Sequence, residues 1–520
     1  MTDDAEDRPV SARYVAQILA ARVYDVAIES ALDKARRLSQ RLDNEVLLKR
    51  EDLQAVFSFK LRGAYNKIAK LSRAALERGV ICSSAGNHAQ GVALAAREHH
   101  ARAVIVMPKT TAAIKLEAVT ALGGEVVLEG ATYDDANRHA RELASRERLT
   151  FVHPFDDPDV IAGQGTIAVE LERQWPRVPD AIFVPIGGGG LVSGIGAYIK
   201  HRYPEVEIIG VEPADAPSMH EARRRGGPVT LDHVGTFADG VAVRRVGDET
   251  FRIAEEVVDH IELVSTDEIC AAIKDIFEDN RVVVEPAGAL AVAGLKRYLA
   301  DRPGSGRLLI AINSGANMNF GRLRHVTERA EIGEHREALI AAEIPERPGA
   351  FLEFCEALGP RNITEFNYRY APTHTARIFV GVSLQRGLSE AAEVLEQLRR
   401  AGYGVLDLTD NELAKLHLRH MVGGQVPSLE DELVYRFEFP ERPGALLAFL
   451  RAIGDRWNIS LFHYRNHGSD YGRVLAGVQV PPVQRSKFTE HLATLGYPYW
   501  DETDNPAYRL FLSSASTQRV

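Results

Sequence analysis

The stretch Ala181-Ile182-Phe183-Val184-Pro185-Ile186-Gly187-Gly188-Gly189-Gly190-Leu191 decides how the longer part of this chain folds. A short apolar run bounded by turn residues predicts a buried strand. The four glycines that follow remove every side chain between that strand and a helix beginning near Leu191, so consecutive backbone N–H groups can approach an anion at the positive helix end. The run lacks the Gly-Lys-Ser/Thr end of a nucleotide-binding loop and the acidic ribose partner of a dinucleotide fingerprint, which favours one phosphate over a nucleotide. A purely structural tight turn is the other reading.

Outward from this stretch, apolar runs at 45–49, 79–83, 103–107, 125–128, 150–152, 207–211 and 308–312 alternate with helical patterns, and helical pieces precede them between residues 10 and 42. Such alternation predicts parallel strands in a layered α/β sheet, whose ligands bind at the carboxyl ends of the strands. Several residues fall there. Lys60 closes Ser58-Phe59-Lys60 at the mouth of a helix, and Asn87 sits between a strand and an alanine-rich helix. Glu285 opens the helix of Val284-Glu285-Pro286-Ala287-Gly288-Ala289, and Ser314 follows the strand 308–312. Each also has an ordinary reading: a solvated helix edge, an N-cap, a helix-starting carboxylate and a turn hydroxyl.

Composition narrows the class. With 520 residues, 45% hydrophobic and 26% charged, the chain is an ordinary globular mix long enough for several domains. A net charge of −10 gives no basic surface for nucleic acid. Cys82, Cys270 and Cys355 are too scattered for a CxxC metal pattern and too few for a disulfide framework, which suits a reducing cytoplasm. No apolar leader and no membrane-spanning run is expected, so the reading is a cytoplasmic protein without a membrane partner.

Beyond about residue 330 the chain repeats itself. Pro345-Glu346-Arg347-Pro348-Gly349-Ala350 returns 95 positions later as Pro440-Glu441-Arg442-Pro443-Gly444-Ala445. Asn362-Ile363-Thr364 returns as Asn458-Ile459-Ser460, and Thr409-Asp410-Asn411 as Thr503-Asp504-Asn505. Each copy reads strand, helix, strand, strand, helix, strand, the ferredoxin-like order with an antiparallel sheet. The expected boundaries are 1–330 for the α/β part, 331–411 for the first copy, 412–431 for a linker and 432–520 for the second copy.

The motifs SFKLRGAYN (58–66), SAGNHAQG (84–91), GGGGL (187–191), VEPAGA (284–289) and NSGANMNF (313–320) resemble the fold-type II, tryptophan synthase β-like pyridoxal-phosphate enzymes, and among them the threonine dehydratases. The duplicated C-terminal region resembles the paired ACT-type domains of the long, allosteric members. The resemblance implies pyridoxal 5′-phosphate bonded to Lys60, with Asn87 at its 3′-oxygen, Gly187, Gly188, Gly189, Gly190 and Leu191 at its phosphate, Ser314 at its ring nitrogen, and Phe59 and Glu285 beside it. Lys60 and Ser314 would be the catalytic pair.

The implied reaction is dehydration and deamination of L-threonine, and of L-serine, to 2-oxobutanoate or pyruvate and ammonia, the first step of isoleucine biosynthesis. Isoleucine would inhibit and valine oppose it, through Tyr368, Arg369, Tyr464 and Arg465, in a homotetramer. Ala85 stands where the related serine racemases carry a serine, which implies weak racemisation. Ser218, at the spacing of that family's acidic cation ligand after Glu212-Pro213, implies no dedicated metal.

Overall fold

Successive residues in a strand face opposite sides of its sheet, and the strands of the first 330 residues are apolar on both sides, so they must be buried between helices. The protein, a computed structural model, is described over residues 10–370, 374–421, 423–426, 428–440, 445–453, 456–465 and 471–513. It divides into two units, Met1–Ala330 and Glu331–Val520. The first unit holds strands β1 (Leu32–Lys34), β2 (Glu45–Arg50), β3 (Val80–Ser83), β4 (Ala103–Met107), β5 (Glu125–Leu128), β6 (Thr150–Phe151), β7 (Ala181–Pro185), β8 (Glu207–Pro213), β9 (His260–Val264) and β10 (Leu308–Asn313).

A six-stranded sheet runs β1-β2-β10-β7-β8-β9 and a four-stranded sheet β5-β4-β3-β6. Only β1 is antiparallel to its neighbour; every other pairing in these two sheets is parallel. Alternation in the larger sheet is visible residue by residue. Val46, Leu48, Phe183, Leu309 and Ala311 join one core with the helices Thr266–Asn280 and Pro286–Asp301. Leu47, Ile182, Val184, Leu308 and Ile310 join another with Val10–Leu19, Pro158–Gln174 and Gly190–Arg202. The helical pieces expected between residues 10 and 42 form as Val10–Leu19 and Arg36–Leu42, and β1 intervenes as a polar edge strand whose Asp33 meets Arg50 at 2.8 Å.

One buried charge cluster ties these layers together. Arg62, on the helix Lys60–Ala69, is wholly buried and donates to Glu51 after β2 at 2.8 Å and to Glu170 of the helix Pro158–Gln174 at 2.6 Å. Lys49 of β2 also reaches Glu170 at 2.6 Å, and Ser30 gives its hydroxyl hydrogen to Glu51 at 2.6 Å. Burial alone would lower the Arg62 guanidinium, and Glu51 and Glu170 outweigh it, holding the group above its ordinary value.

The second unit pairs eight strands: β11 (Glu337–Pro345), β12 (Ile363–Arg369), β13 (Thr375–Ser383), β14 (Gly404–Asp407), β15 (Glu432–Pro440), β16 (Asn458–Arg465), β17 (Tyr471–Gln479) and β18 (Tyr499–Asp501). Their order β14-β11-β13-β12-β16-β17-β15-β18 is two ferredoxin-like sheets joined through β12 and β16. That antiparallel junction sets Asn367 opposite His463, with Phe366 opposite Tyr464 and Tyr368 opposite Phe462. Equivalent residues of the two copies therefore cross at a local two-fold, and their rings share one core.

The Thr-Asp-Asn repeat is a clasp. Thr409 accepts the Leu339 N–H at 3.1 Å and Thr503 the Val434 N–H at 3.0 Å, after which Asn411 and Asn505 cap the helices Glu412–Leu416 and Pro506–Phe511. Residues 412–416, expected in the linker, thus pack on the first copy: Ala414 is buried with Ile332, Leu339 and Phe379. Residues 441–444 of the second Pro-Glu-Arg-Pro-Gly run, and 422 and 427 of the linker run, lie outside the described residues.

Because removing one member of a buried ion cluster strands the others, Arg62→Met is expected to lower unfolding free energy by about 3–5 kcal/mol in a urea titration.

Candidate active site

The carboxyl ends of β2, β3, β7 and β10 all open on one side, and the residues that follow them converge there. The chain leaves β2 through a short 3-10 turn, Glu51–Leu53, and a bend in which Phe57 takes a left-handed φ of 53°. Ser58 then bridges Gly315, and the Phe59 N–H donates to the Ser314 carbonyl at 3.3 Å. This stitch fixes the start of the Lys60 helix against the end of β10. Lys60 donates from Nζ to the Pro154 carbonyl at 2.8 Å, and burial pushes its amine down to about 8 against the pull of Glu285.

Asn87 begins the helix Asn87–Glu98. Its Oδ1 accepts from Asn317 at 2.7 Å and its Nδ2 donates to Glu285 Oε1 at 2.6 Å, which leaves one amide hydrogen to offer. Glu285 is the N-cap residue of Pro286–Asp301, and burial raises its carboxyl to about 7. Ser314 is buried and donates to the Ala287 carbonyl at 3.2 Å, keeping lone pairs to accept with.

The tetraglycine loop is closed on every side. A Cβ on Gly187 would meet Val241 at 3.0 Å, on Gly188 the Phe155 ring at 2.2 Å, on Gly189 Thr250 at 2.9 Å, and on Gly190 the Phe155 carbonyl at 3.0 Å. Gly189 also holds a φ of 96°, which a side chain strains. Leu191 is buried in the first turn of Gly190–Arg202, where backbone N–H groups lack intrahelical partners. The cradle is braced from behind: Thr250 Oγ1 donates to the Gly188 carbonyl at 2.6 Å, and Asp156 accepts the N–H groups of Asp248, Glu249 and Thr250.

All the first-unit candidates, Phe59, Lys60, Asn87, Gly187 to Leu191, Glu285 and Ser314, therefore lie around the strand ends. Not foreseen were Pro154, whose backbone oxygen holds Lys60, and Phe155 over the glycines. Nor were His88, buried, and His153, half-buried, imidazoles near the Lys60 charge that desolvation lowers to about 3 and about 4. His88 and Asn317 stand inside motifs already quoted; Pro154 acts through a backbone atom that no residue type advertises.

Four buried polar groups in this region have no protein partner: Ser58 Oγ, Ser83 Oγ, His88 Nδ1 and the Asn313 amide. Unsatisfied buried groups are costly and call for a ligand or water. With a closed glycine cradle for one phosphate and a desolvated amine for an aldehyde, the donor set fits pyridoxal phosphate. Glu212, by contrast, is spent on structure: it accepts from Met219 N and His220 N at 2.8 Å each and caps the helix Ser218–Arg225.

In the second unit Tyr368 and Arg369 are adjacent in β12 and so point to opposite faces. Tyr368 donates to Glu346 at 2.7 Å and lines a small pocket with Arg347, Leu352, Leu450 and Trp457. Arg369 is clamped on Glu432, with further bonds to the Ser460, Gly424 and Leu512 carbonyls. Tyr464 is buried at the equivalent place in β16; Arg465 ends that strand, outside the residues whose side chains are described.

A two-layer parallel fold whose strand ends gather a lysine amine and a single-phosphate cradle defines a pyridoxal-phosphate-dependent enzyme of fold-type II. The family described as pyridoxal-phosphate dependent enzyme matches residues 25–315, and that described as the C-terminal regulatory domain of threonine dehydratase matches 328–418 and 423–512. The chain is 56% identical to the biosynthetic L-threonine dehydratase IlvA of Burkholderia multivorans over 96% of this chain and 99% of that protein. It is 53% identical to IlvA of Escherichia coli over 97% and 98%. The processed form of threonine deaminase isoform 2 from Solanum lycopersicum superposes with a TM-score of 0.61 at 50% identity, covering 63% of this chain and 90% of that one. The chain belongs to the biosynthetic threonine dehydratase family, with a regulatory region built to bind small molecules. No helix among the described residues is long and apolar enough to cross a membrane.

Two outcomes follow from this geometry. Gly188→Ala, which drives a methyl into the Phe155 ring, should weaken cofactor binding at least ~100-fold in an absorbance titration of the apoenzyme, because the loop must shift to clear the ring and its backbone N–H groups move with it. Only the neutral Lys60 amine attacks an aldehyde, so the rate at which apoenzyme captures pyridoxal phosphate should climb with pH and level off above about 8. An ordinary lysine would keep climbing towards its own, higher value.

Proposed function

We propose that this protein dehydrates and deaminates L-threonine to 2-oxobutanoate and ammonia as the first step of isoleucine biosynthesis, and acts on L-serine in the same way. The observation that carries the reading is the Lys60 amine, desolvated to about 8 and held at 2.8 Å by the Pro154 carbonyl among the strand ends. Family membership and the glycine cradle support it.

Pyridoxal phosphate, when bound, supplies the electron sink that lets the Cα–H bond of an amino acid be broken. Gly187 to Leu191 would present backbone N–H groups to its phosphate, Asn87 would offer its remaining amide hydrogen to the 3′-oxygen, and Ser314 would meet the ring nitrogen. A hydroxyl there, unlike a carboxylate, does not enforce a positive ring, which suits elimination better than transamination. Lys60 Nζ takes the α-proton, and a proton passed to the β-hydroxyl lets that group depart. Loss of the β-hydroxyl as water leaves 2-aminobut-2-enoate, which tautomerises to the imine and takes up water to give 2-oxobutanoate and ammonia. Ala85 supplies no proton on the second face, so D-amino acids are minor products. Serine lacks one methyl, worth only about 1–3 kcal/mol of discrimination in an apolar pocket.

Residues 331–520 act as two regulatory copies that take isoleucine as inhibitor and valine as its opponent, in a cytoplasmic homotetramer. The cavity at Tyr368 supports this reading. Glu346 and Arg347 provide a carboxylate and a guanidinium for a zwitterion, and Leu352, Leu450 and Trp457 an apolar wall for a branched side chain. Tyr464 marks the equivalent place in the second copy. Arg369 serves the same regulation from the opposite face of the sheet, joining the copies through Glu432.

The test is 2-oxobutanoate formation from threonine with and without isoleucine. Wild type should turn over and be inhibited, and Lys60→Ala should lose at least ~1,000-fold in kcat, since a positioned base and nucleophile are both removed. Tyr368→Leu should raise the isoleucine needed for half-inhibition roughly tenfold, the loss of one hydrogen bond and its ring contacts, while kcat stays within about twofold. Full activity in Lys60→Ala sinks the catalytic assignment; unchanged inhibition in Tyr368→Leu sinks the effector assignment.

A further inference from the structure

The turn 237–241 touches the site at two places. A Cβ on Gly240 would lie 2.9 Å from Ala287, 3.5 Å from Glu285 Oε1 and 3.9 Å from Asn87 Nδ2, and one on Gly187 would lie 3.0 Å from Val241. Ala238 and Val241 are buried in the core beneath, where the Val241 N–H donates to the Ala238 carbonyl at 3.0 Å. Between these anchors stands Asp239. Lys115 Nζ reaches its Oδ2 at 2.7 Å and Arg322 Nη1 its Oδ1 at 3.1 Å, one cation to each carboxylate oxygen. Arg322 also donates to the Phe237 carbonyl at 3.1 Å, so it grips the turn twice.

The two cations come from different layers. Lys115 lies on the helix Ala113–Ala121, which follows β4 in the four-stranded sheet and fully buries only Val119 among its residues. Arg322 follows β10 of the six-stranded sheet. The Asp239 carboxylate is therefore a cross-link between the layers that face each other across the site, made to a helix with little else to hold it. The charges of Asp239, Lys115 and Arg322 all act on Glu285, which agrees with their position at the mouth.

We propose that Asp239 is a positioning residue of this enzyme: gripped by Lys115 and Arg322, it holds the turn 237–241 over Asn87, Glu285 and the tetraglycine loop, and so sets how tightly the site closes on its amino-acid substrate. The inference rests on the site assignment above. Each partner is about one-third exposed. The cross-link is therefore worth little to global stability, and salt weakens it. Its effect belongs in KM rather than kcat, because the residue touches neither the Lys60 amine nor the glycines.

The experiment compares holoenzyme carrying Asp239→Asn, Lys115→Gln or both, all of which remove charge from a partly exposed place and leave the core intact. Each single variant should raise the KM for threonine roughly 5–20-fold with kcat within about twofold, and the double variant should do no worse than the more affected single, the mark of one shared interaction. Amide hydrogen exchange should quicken together at 237–241 and 113–121 in each variant, and in wild type at high salt. An unchanged KM, multiplicative effects of the two substitutions, or quickened exchange in one segment alone would overturn the proposal. Absence of threonine turnover in wild type would instead overturn the substrate reading, and the exchange measurement would then decide the positioning role by itself.

Discussion

The catalytic unit depends on a guanidinium that never sees water. Arg62 stands two residues after the cofactor lysine, and its ion pairs with Glu51 and Glu170 lock the first turn of that helix to β2 on one side and to the helix Pro158–Gln174 on the other. Breaking such a cluster is far more damaging than its net contribution to stability suggests, because without Arg62 the buried Glu51 loses its ion-pair partner and Glu170 keeps Lys49 alone. The consequence for function is positional. The Lys60 amine is one flexible chain away from a backbone that cannot shift without disturbing four charged groups at once.

From that fixed point the site is assembled by pieces with no covalent reason to meet. The stitch from Ser58 to Gly315 brings β10 to the lysine, the Asn317–Asn87–Glu285 chain of hydrogen bonds joins the ends of β10 and β3 to the start of the helix Pro286–Asp301, and the segment from His153 to Asp157 lays Pro154 on the amine and Phe155 on the glycines. Catalytic geometry here is a by-product of how the sheet edges are sewn. The same economy explains the lowered Lys60 amine: it is desolvated by neighbours whose first task is structural.

Much of this was legible in the sequence because glycine, proline and strand alternation declare backbone geometry. The tetraglycine declares a side-chain-free turn between strand and helix, open to an anion or simply tight, and the repeated Pro-Glu-Arg-Pro-Gly and Asn-Ile-Thr/Ser runs announced a duplication before any fold was drawn. What stayed hidden acts through atoms or partners that sequence does not name: the Pro154 carbonyl, and Glu170, whose role exists only because Arg62 lies 2.6 Å away in space and 108 residues away in the chain. Neighbours in a strand face opposite ways, so of the effector candidates in the first copy the tyrosine, Tyr368, turns to the pocket and Arg369 to Glu432. The helix Glu412–Leu416 was lost for a different reason, since five residues carry too little periodicity to be seen.

The local two-fold through Asn367 and His463 has a consequence for how regulation behaves on dilution. When two separate chains must meet to form a shared ligand cavity, the cavity's population falls as protein becomes scarce. Here the two halves are consecutive lengths of one polypeptide, so each meets the other at an effective concentration fixed by the linker and independent of how much enzyme a cell holds. Tethering also frees the halves from identity: once both are encoded separately, a tryptophan can sit before the Asn-Ile pair in one and an arginine in the other, as Trp457 and Arg361 do. A duplicated region of this kind can carry two unlike sites, which a symmetric pair of identical chains could not.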